Sequence, residues 1–292
     1  MIAANAQTKT IKQIKIEAKQ QAKALAVPEF WLTDWLLYVI DKPMLFLMTD
    51  EDYQLSETEL KQFNAGVIQM QQGTPLAYLT GQQAFWSLNF KVNAHTLIPR
   101  PDTEILVEQV LAWIAQQSFD NKNKRLLDLG TGSGCIVISL AHELTSKNWQ
   151  FVAVDYSQEA LEIARYNAMV NHLPYIEWVK SSWYDELSTD ISQQFDVIVS
   201  NPPYIDESDE HLQALKAEPM SALSSPNKGL ADIEHIVQHA PNYLRNSGLL
   251  AVEHGYDQGF AVRSMFLARG FKSVATVQDY SGNDRVTLGQ LS

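Results

Sequence analysis

The sequence predicts an α/β fold: a mostly parallel, seven-stranded sheet preceded by an N-terminal bundle of helices and a β-hairpin linker. Three patterns support this prediction. From residue 125 onward, short apolar runs alternate with amphipathic segments, as strands alternate with helices around a parallel sheet. A glycine-rich turn follows the first of those runs. Residues 8–80 instead repeat apolar side chains at three- and four-residue steps, which indicates helices.

Length, composition and charge limit the classes of protein to consider. The chain has 292 residues, 46% of them hydrophobic, which suits one large or two modest domains with a real core. Its formal net charge of −12 argues against a broad phosphate-binding surface, so we expect no stable nucleic-acid binding. The single cysteine excludes an intrachain disulfide.

We expect a cytoplasmic protein that does not cross a membrane and that acts as a monomer. Residues 1–7 lack a basic region followed by an apolar one, so they do not resemble a signal peptide. The most apolar stretch, residues 30–48, is interrupted by Asp34, Asp41, Lys42 and Pro43, and it is therefore too polar to span a bilayer.

Residues 1–82 are predicted to form a helical domain that docks the substrate. Ser56 and Glu59 have the spacing of a capping box, which predicts a helix from there to about residue 72. Gly73 and Pro75 then end it. An aromatic-rich apolar stripe at residues 31–39 predicts another helix, whose two tryptophans we expect in the core.

A β-hairpin is predicted at residues 83–97, where apolar side chains are arranged around a short turn. It would link the helical domain to a larger domain, residues 98–292, that holds the sheet. The larger domain begins with a stiff, proline-containing segment at residues 98–103. Asp102 or Thr103 in that segment can cap an amphipathic helix over residues 104–117.

The larger domain divides into strands and helices by its apolar runs. Strands are expected at residues 125–129, 150–154, 176–180, 195–200, 248–253, 273–277 and 286–291. Helices are expected at residues 135–144, 158–171, 233–245 and 258–269. The last two strands have no helix between them, so they should form an antiparallel pair at one edge. Residues 206–229 form a long loop, of the kind that often serves as a lid or a binding loop.

The first strand ends in an acid and a glycine-rich turn, residues 128–134. Gly130 and Gly132 match the start of a dinucleotide-type Gly-x-Gly-x-x-Gly motif, but Cys135 occupies its last position. The turn can still bring the backbone close to a ligand at the N-terminus of the following helix. The acid, Asp128, suits a ligand with a cationic amino group better than it suits a pyrophosphate.

The second and third strands also end in residues suited to a nucleoside. Asp155 ends the second strand, where a carboxylate can accept hydrogen bonds from ribose hydroxyls. Ser181, Ser182 and Trp183 follow the third strand and could hold an adenine ring by stacking and edge hydrogen bonds. A strand-end cap for Asp155 and simple packing for Trp183 are the alternative interpretations.

The fourth strand ends at Asn201-Pro202-Pro203-Tyr204, the most informative stretch of the chain. Its two prolines stiffen a turn and remove two N–H donors. If the Asn201 side-chain oxygen and the Pro202 carbonyl accept hydrogen bonds from both N–H groups of a planar amino group, they orient its nitrogen and make it more electron-rich. Tyr204 would then stack on the planar group. Taken alone, the stretch is equally consistent with a rigid turn.

Together, the four strand ends resemble those of the class I S-adenosylmethionine-dependent methyltransferases, whose fold is Rossmann-like. Within that fold, Asn-Pro-Pro-Tyr is typical of enzymes that methylate a conjugated amino group: adenine N6, cytosine N4 or glutamine N5. The chain is more narrowly similar to the peptide chain release factor glutamine methyltransferases. That similarity lies in residues 75–81, 85, 97–104, 128–134, 201–205, 218–219, 222–223 and 279–285.

The resemblance implies an S-adenosylmethionine-dependent protein-(glutamine-N5) methyltransferase. The cofactor would be S-adenosyl-L-methionine, leaving as S-adenosyl-L-homocysteine. The partner would be a class I peptide chain release factor, methylated on the glutamine of its Gly-Gly-Gln loop. The residues implied to bind the cofactor are Asp128, Gly130, Thr131, Gly132, Ser133, Gly134, Asp155, Trp183 and Asn201. Those implied to bind the glutamine are Asn201, Pro202, Pro203 and Tyr204, with Asn201, Pro202 and Tyr204 as the catalytic set.

Other functions remain open on the sequence. A methyltransferase acting on adenine N6 or cytosine N4 of a nucleic acid would use the same four residues, with Tyr204 stacked on a flipped base. A non-catalytic cofactor-binding protein would retain the glycine turn. His235 and His239 have a spacing that metals use, but no third ligand is near them in sequence, so no metal is expected. Cys135 is expected to be a small buried residue.

Overall fold

The computed structural model describes residues 8–25, 27–118, 123–145 and 148–292. The chain divides into two compact units, Met1–Gly81 and Gln82–Ser292. The prediction about residues 1–7 lies outside the described residues. Within the described part of the chain, no helix combines the length and the apolar character needed to cross a membrane.

The first unit consists of helices, as its apolar periodicity predicts. They are α1 (Ile11–Leu25), α2 (Glu29–Ile40), α3 (Phe46–Thr49), α4 (Glu57–Gln71) and α5 (Leu76–Thr80). The capping box at the start of α4 is confirmed. Ser56 Oγ accepts a hydrogen bond from the Glu59 N–H at 3.2 Å, and Glu59 Oε2 accepts one from the Ser56 N–H at 2.7 Å. Two backbone donors that the helix leaves unpaired are therefore satisfied.

Trp35 lies at the centre of the helical unit, and its predicted place in the core is confirmed. Its indole N–H donates to the Phe63 carbonyl of α4 at 3.0 Å. Gly66, one turn further along α4, lies where a Cβ would overlap that indole ring. The glycine therefore costs helix propensity but admits the largest core side chain. Trp31 is half-buried and packs against the same cluster.

The second unit begins with the predicted hairpin, formed by the antiparallel strands β1 (Gln82–Phe85) and β2 (Leu88–Lys91). The helices that follow are α6 (Glu104–Gln116), α7 (Cys135–Leu144), α8 (Gln158–Val170), α9 (Ala231–His239) and α10 (Gly259–Ala268). The strands of the main sheet are β3 (Lys124–Leu129), β4 (Trp149–Asp155), β5 (Glu177–Lys180), β6 (Phe195–Ser200), β9 (Leu244–Glu253), β10 (Lys272–Gln278) and β11 (Asp284–Gln290). A separate two-stranded ladder joins β7 (Ile205–Asp206) to β8 (Ser224–Ser225).

The seven strands of the main sheet lie in the order β10-β11-β9-β6-β3-β4-β5. The strands from β9 to β5 are mutually parallel, whereas β11 runs antiparallel to both β9 and β10. The predicted antiparallel pair at one edge is confirmed. Within it, β10 is the edge strand, and β11 lies between β10 and β9. The strand order reverses between β3 and β6, and ligands bind at such a switch point in open parallel sheets.

Successive residues of each central strand point to opposite faces of the sheet, so two apolar layers form. On one face, Leu126 and Val197 pack with α6 and α7. On the other face, Leu127 and Ile198 pack with α9 and α10. Because both faces are covered, the central strands are apolar almost throughout, which explains why simple apolar runs identified them.

One predicted helix boundary and one predicted helix cap are wrong. The helix predicted at residues 233–245 ends at His239 and continues only as a short 3₁₀ turn, Ala240–Asn242. Pro241 lacks the N–H that a further α-helical turn needs. The prediction that Asp102 or Thr103 caps α6 is also wrong. A 3₁₀ turn, Pro101–Thr103, precedes α6, and Thr103 makes no capping hydrogen bond because its backbone is already helical.

Candidate active site

A cavity of about 560 Å³ opens at the carboxyl ends of β3, β4, β5 and β6. Its volume is in the range of small-molecule sites. The predicted site residues that line it are Gly130, Thr131, Gly132, Ser133, Asp155, Trp183, Asn201 and Pro203. The predicted site residues outside its wall are Asp128, Gly134, Pro202 and Tyr204. The fold thus brings all four predicted strand ends to one place.

The glycine-rich turn is held against the neighbouring strand by backbone hydrogen bonds. The N–H groups of Gly130 and Thr131 both donate to the Val154 carbonyl at 2.9 Å. Gly130 and Gly132 have φ values of +71° and +56°, a region that residues with a side chain rarely adopt. A Cβ on Gly132 would meet nothing within 4 Å, so the turn leaves open space above this residue.

Asp128 lies beneath the turn and has no exposed surface. Its Oδ2 accepts a hydrogen bond from Thr131 Oγ1 at 2.6 Å. Burial raises the pKa of this carboxyl to about 7, with the Thr131 hydroxyl acting in the opposite direction. Asp128 is not part of the cavity wall, but its carboxyl fixes the Thr131 side chain, and Thr131 is part of that wall.

Asp155 fixes the far side of the same turn. Its Oδ2 accepts the Gly132 N–H at 2.8 Å, and its Oδ1 accepts the Ser157 N–H at 2.9 Å. Burial raises the pKa of the Asp155 carboxyl, while hydrogen bonds from the backbones of Ser157, Gly132 and Tyr156 oppose that shift. The carboxyl is therefore a preorganised acceptor in the cavity wall.

Trp183 lies across the glycine turn in a strained backbone conformation with φ of +47°. A Cβ on Gly130 would lie only 3.2 Å from the Trp183 ring, so the close approach of ring and turn requires glycine. The indole N–H donates to Asp232 Oδ1 at 3.2 Å. This bond orients the ring, and Asp232 also lines the cavity.

The Asn201–Tyr204 turn is fixed to its surroundings at several points. Immediately before it, Ser200 Oγ donates to the Leu129 carbonyl at 2.8 Å and joins the ends of β6 and β3. Asn201 Nδ2 donates to Thr103 Oγ1 at 3.1 Å. The Asn201 side chain also lines the cavity. Because Nδ2 is engaged by Thr103, Oδ1 is the end of the amide available as an acceptor.

Tyr204 is held by two groups that the sequence reasoning did not identify. Its hydroxyl donates to Glu253 Oε1 at 3.4 Å, and its carbonyl accepts the Gln258 Nε2–H at 2.9 Å. Burial and the nearby Glu253 raise the pKa of the phenol above its usual value, so Tyr204 stays neutral. Glu253 is an acid at the carboxyl end of β9. Asp155 is predicted as a site residue because it is an acid at the end of β4, so the same pattern in the sequence could have identified Glu253.

The long loop after β7 is more ordered than its sequence suggests. It contains the 3₁₀ turns Glu210–Leu215 and Met220–Ala222. The buried Glu218 accepts the Ile98 N–H at 3.0 Å and pairs with Arg100 at 2.5 Å. These contacts attach the loop to the segment 98–103 beside the cavity, so part of the loop lines the cavity.

Gly229 is expected to be essential for the position of the Asn201–Tyr204 turn. Its φ is +77°, and a Cβ there would overlap the Tyr204 carbonyl. Replacing Gly229 with alanine should therefore displace the turn and lower kcat by about tenfold or more. The matched control is Gly270→Ala, because Gly270 has a φ of +98° but open space around its Cβ. Equal kcat values for the two variants would show that the overlap is harmless.

Comparison with family models places two known domains on this chain. A methyltransferase small domain matches residues 103–282, and a PrmC N-terminal domain matches residues 18–81. The first match covers more than half of the chain.

Comparison with curated proteins finds relatives of the same name in several bacteria. The release factor glutamine methyltransferase of Aliivibrio fischeri is 44% identical over 257 residues, 87% of this chain and 87% of that protein. The release factor glutamine methyltransferase of Escherichia coli is 41% identical over 276 residues, 94% of this chain and 96% of that protein.

Solved structures similar to this chain include two methyltransferases of low sequence identity. The hMettl16 catalytic domain in complex with MAT2A 3′UTR hairpin 6 has a TM-score of 0.55 and 17% identity, over 88% of this chain and 92% of that chain. The Thermus thermophilus 16S rRNA N2 G1207 methyltransferase in complex with AdoMet and guanosine has a TM-score of 0.51 and 16% identity, over 72% of this chain and 50% of that chain. Together with the matched methyltransferase domain, these likenesses confirm the predicted class I methyltransferase fold.

Proposed function

The chain belongs to the release factor glutamine methyltransferase family, and we propose that it methylates a release factor. The reaction transfers a methyl group from S-adenosyl-L-methionine to the side-chain N5 of the glutamine in the Gly-Gly-Gln motif of a class I peptide chain release factor. The observation that carries this proposal is the Asn201 amide, whose Nδ2 is engaged by Thr103 so that Oδ1 remains as an acceptor beside the cavity.

The cavity fits S-adenosyl-L-methionine in its donor and acceptor groups. The open space above Gly132 allows a ligand to approach the backbone of the turn, and the Asp155 carboxyl can accept hydrogen bonds from ribose hydroxyls. Trp183 offers an aromatic surface for an adenine ring, and Asp232 beside it adds an acceptor. When bound, the cofactor supplies an electrophilic methyl group on a sulfonium.

The acceptor glutamine requires positioning more than it requires a base. An amide nitrogen is a poor nucleophile because its lone pair is delocalised. If Asn201 Oδ1 and the Pro202 carbonyl accept hydrogen bonds from its two N–H groups, the nitrogen is held in place and made more electron-rich. Tyr204 is neutral and held by Glu253 and Gln258, which suits a ring that packs on a planar amide. The proton can leave after the methyl group has been transferred.

The unit Met1–Gly81 is proposed to help dock the release factor. The proposed enzyme acts as a monomer in the cytoplasm. Methylation of adenine or cytosine in a nucleic acid is not favoured, because the net charge of −12 opposes binding to phosphates. No feature of the described site favours a nucleobase over a glutamine side chain.

Mass spectrometry of the Gly-Gly-Gln peptide tests the proposed reaction. After a purified release factor is incubated with this enzyme and S-adenosyl-L-methionine, the glutamine should gain one methyl group. A release factor with that glutamine replaced by alanine should gain none. Methylation at another residue, or methylated adenine in an rRNA fragment offered under the same conditions, would contradict the proposal.

A further inference from the structure

Glu253 is a buried carboxyl behind the Asn201–Tyr204 turn, and the mechanism above uses it only to hold the Tyr204 ring. It is 1% exposed and lies at the carboxyl end of β9. Its Oε1 accepts the Tyr204 hydroxyl at 3.4 Å. Its Oε2 is buried and has no hydrogen-bond partner among the described residues, and the Thr103 hydroxyl is the neighbouring group that does most to lower the pKa of this carboxyl. An isolated buried acid is costly, so its retention calls for a physical reason.

The Thr103 hydroxyl binds the Asn201 amide and is the neighbouring hydroxyl that can turn its proton toward the unpartnered Oε2 of Glu253. Thr103 is 1% exposed, and its oxygen accepts the Asn201 Nδ2–H at 3.1 Å. A hydroxyl has one proton and can donate only once. If that proton points to Glu253, only the oxygen lone pairs face Asn201, and the amide must turn Nδ2 toward Thr103. If the proton points to Asn201 instead, the amide is free to turn Oδ1 toward Thr103.

We propose that Glu253, acting through the Thr103 hydroxyl, is a positioning residue that sets the orientation of the Asn201 amide and so presents Oδ1 to the acceptor glutamine. The inference deepens the proposed function and rests on it for the identity of the acceptor. In the opposite orientation, Nδ2 would face the N–H of the glutamine amide that Oδ1 would otherwise accept, and donor would meet donor. Thr103 is the second positioning residue in this arrangement.

The ionisation state of Glu253 decides which orientation is favoured. An ionised carboxylate only accepts hydrogen bonds, whereas a protonated one must donate its own proton. A proton donated to Thr103 would turn the threonine hydroxyl toward Asn201. Burial raises the pKa of Glu253 to about 7, so both forms occur near neutral pH.

Charged and titratable groups from several elements face Glu253. Arg285 of β11 lowers its pKa and Asp102 raises it. Tyr204 lies on the turn, and Cys135 on α7 is also influenced by this carboxyl. Arg285 is held by Asp279 at 3.0 Å and by Asp102 at 3.2 Å, so the positive charge near Glu253 is fixed in place.

The side-chain amide of Asn201 provides a test that needs neither cofactor nor substrate. In protein with 15N-labelled asparagine, we expect the Asn201 Nδ2 resonance to shift with pH with a midpoint of about 7 and its protons to exchange slowly. Glu253→Gln should abolish the titration, and Thr103→Val should abolish both the titration and the slow exchange. An Asn201 amide that titrates unchanged in both variants would overturn the inference, whatever reaction the enzyme catalyses.

Kinetics at saturating cofactor provide the second test. We expect Thr103→Val to lower kcat about tenfold to a hundredfold with KM for the release factor little changed, and Thr103→Ser to restore it to within about threefold. The control Thr276→Val removes a half-buried hydroxyl that bonds Thr287 across the β10–β11 pair at 2.7 Å and does not contact Thr103 or Asn201 in the described residues. If wild-type turnover is present and Thr103→Val retains it fully, the inference is wrong. Absence of wild-type turnover counts against the proposed function, and the amide titration still decides the role of Glu253.

The pH profile separates positioning from mere structural support. For the wild type, kcat should rise as pH increases from 6 to 8 through the Glu253 pKa of about 7. Glu253→Gln should match the wild type near pH 6 and be about tenfold slower near pH 8. Asp128 also has a raised pKa, but it is present in both proteins and cancels in the ratio of the two rates. A ratio that does not change with pH would mean that Glu253 only supports the fold.

Discussion

Replacement of Asn201 by alanine is expected to lower kcat for glutamine methylation by about a thousandfold while changing the dissociation constant of S-adenosyl-L-methionine by less than about threefold. The variant loses the oxygen that would accept an N–H of the glutamine amide, and it loses the donor that binds Thr103 at 3.1 Å. It leaves the glycine turn and its anchor at Asp155 in place. Single-turnover methylation with labelled cofactor measures the chemical step, and calorimetric titration measures cofactor binding.

The control for this experiment is Asn242→Ala, because Asn242 is an exposed asparagine on the 3₁₀ turn after α9. Its kcat should equal that of the wild type. If Asn201→Ala retains more than about a tenth of wild-type kcat, the side-chain oxygen does not hold the acceptor. If cofactor binding is lost together with turnover, Asn201 is primarily a cofactor ligand, a role that its position in the cavity wall also permits.

The architecture and the place of the site were predictable because they depend on local pattern. Buried strands have continuous apolar runs, and the polar residues that follow them meet at one edge of a parallel sheet. This reasoning brought Gly132, Asp155, Trp183 and Asn201 to a single cavity from their positions at strand ends alone. Strand-end positions alone therefore predict a common site, without knowledge of the distances between these residues.

The contacts that fix the site were not predictable because they join distant parts of the chain. Thr103 was interpreted as a helix cap, yet its hydroxyl binds Asn201, 98 residues away. In the sequence, Gly229 resembles an ordinary loop glycine. In the structure, the Tyr204 carbonyl lies directly against it. Asp128 is predicted to bind the ligand, and the structure adds a contact that the sequence does not reveal, the hydrogen bond from Thr131 to its buried carboxyl. Sequence pattern identifies which residues reach the site, whereas packing decides what each one touches.

Replacement of Asp155 by alanine is expected to weaken binding of S-adenosyl-L-methionine by about a hundredfold. The carboxyl receives the Gly132 N–H and the Ser157 N–H, so its loss releases the glycine turn and leaves two backbone donors without a partner. The variant also lacks the proposed acceptor for the ribose hydroxyls. At saturating cofactor, kcat should recover to within about threefold of the wild type, because the acceptor site formed by Asn201 is intact. Asp190→Ala, at an exposed loop aspartate, is the control and should bind normally.

The two roles proposed for Asp155 can be separated by a cycle of protein and ligand changes. S-adenosyl-L-homocysteine and its 2′,3′-dideoxy analogue differ only in the ribose hydroxyls. If Asp155 accepts hydrogen bonds from those hydroxyls, their removal should weaken binding to the wild type about tenfold or more and should have little effect on Asp155→Ala. If Asp155 only anchors the turn, the two ligands should differ by the same factor in both proteins. A non-zero coupling energy between Asp155 and the hydroxyls would therefore assign the ribose contact to this carboxyl, independently of its support for the glycine turn.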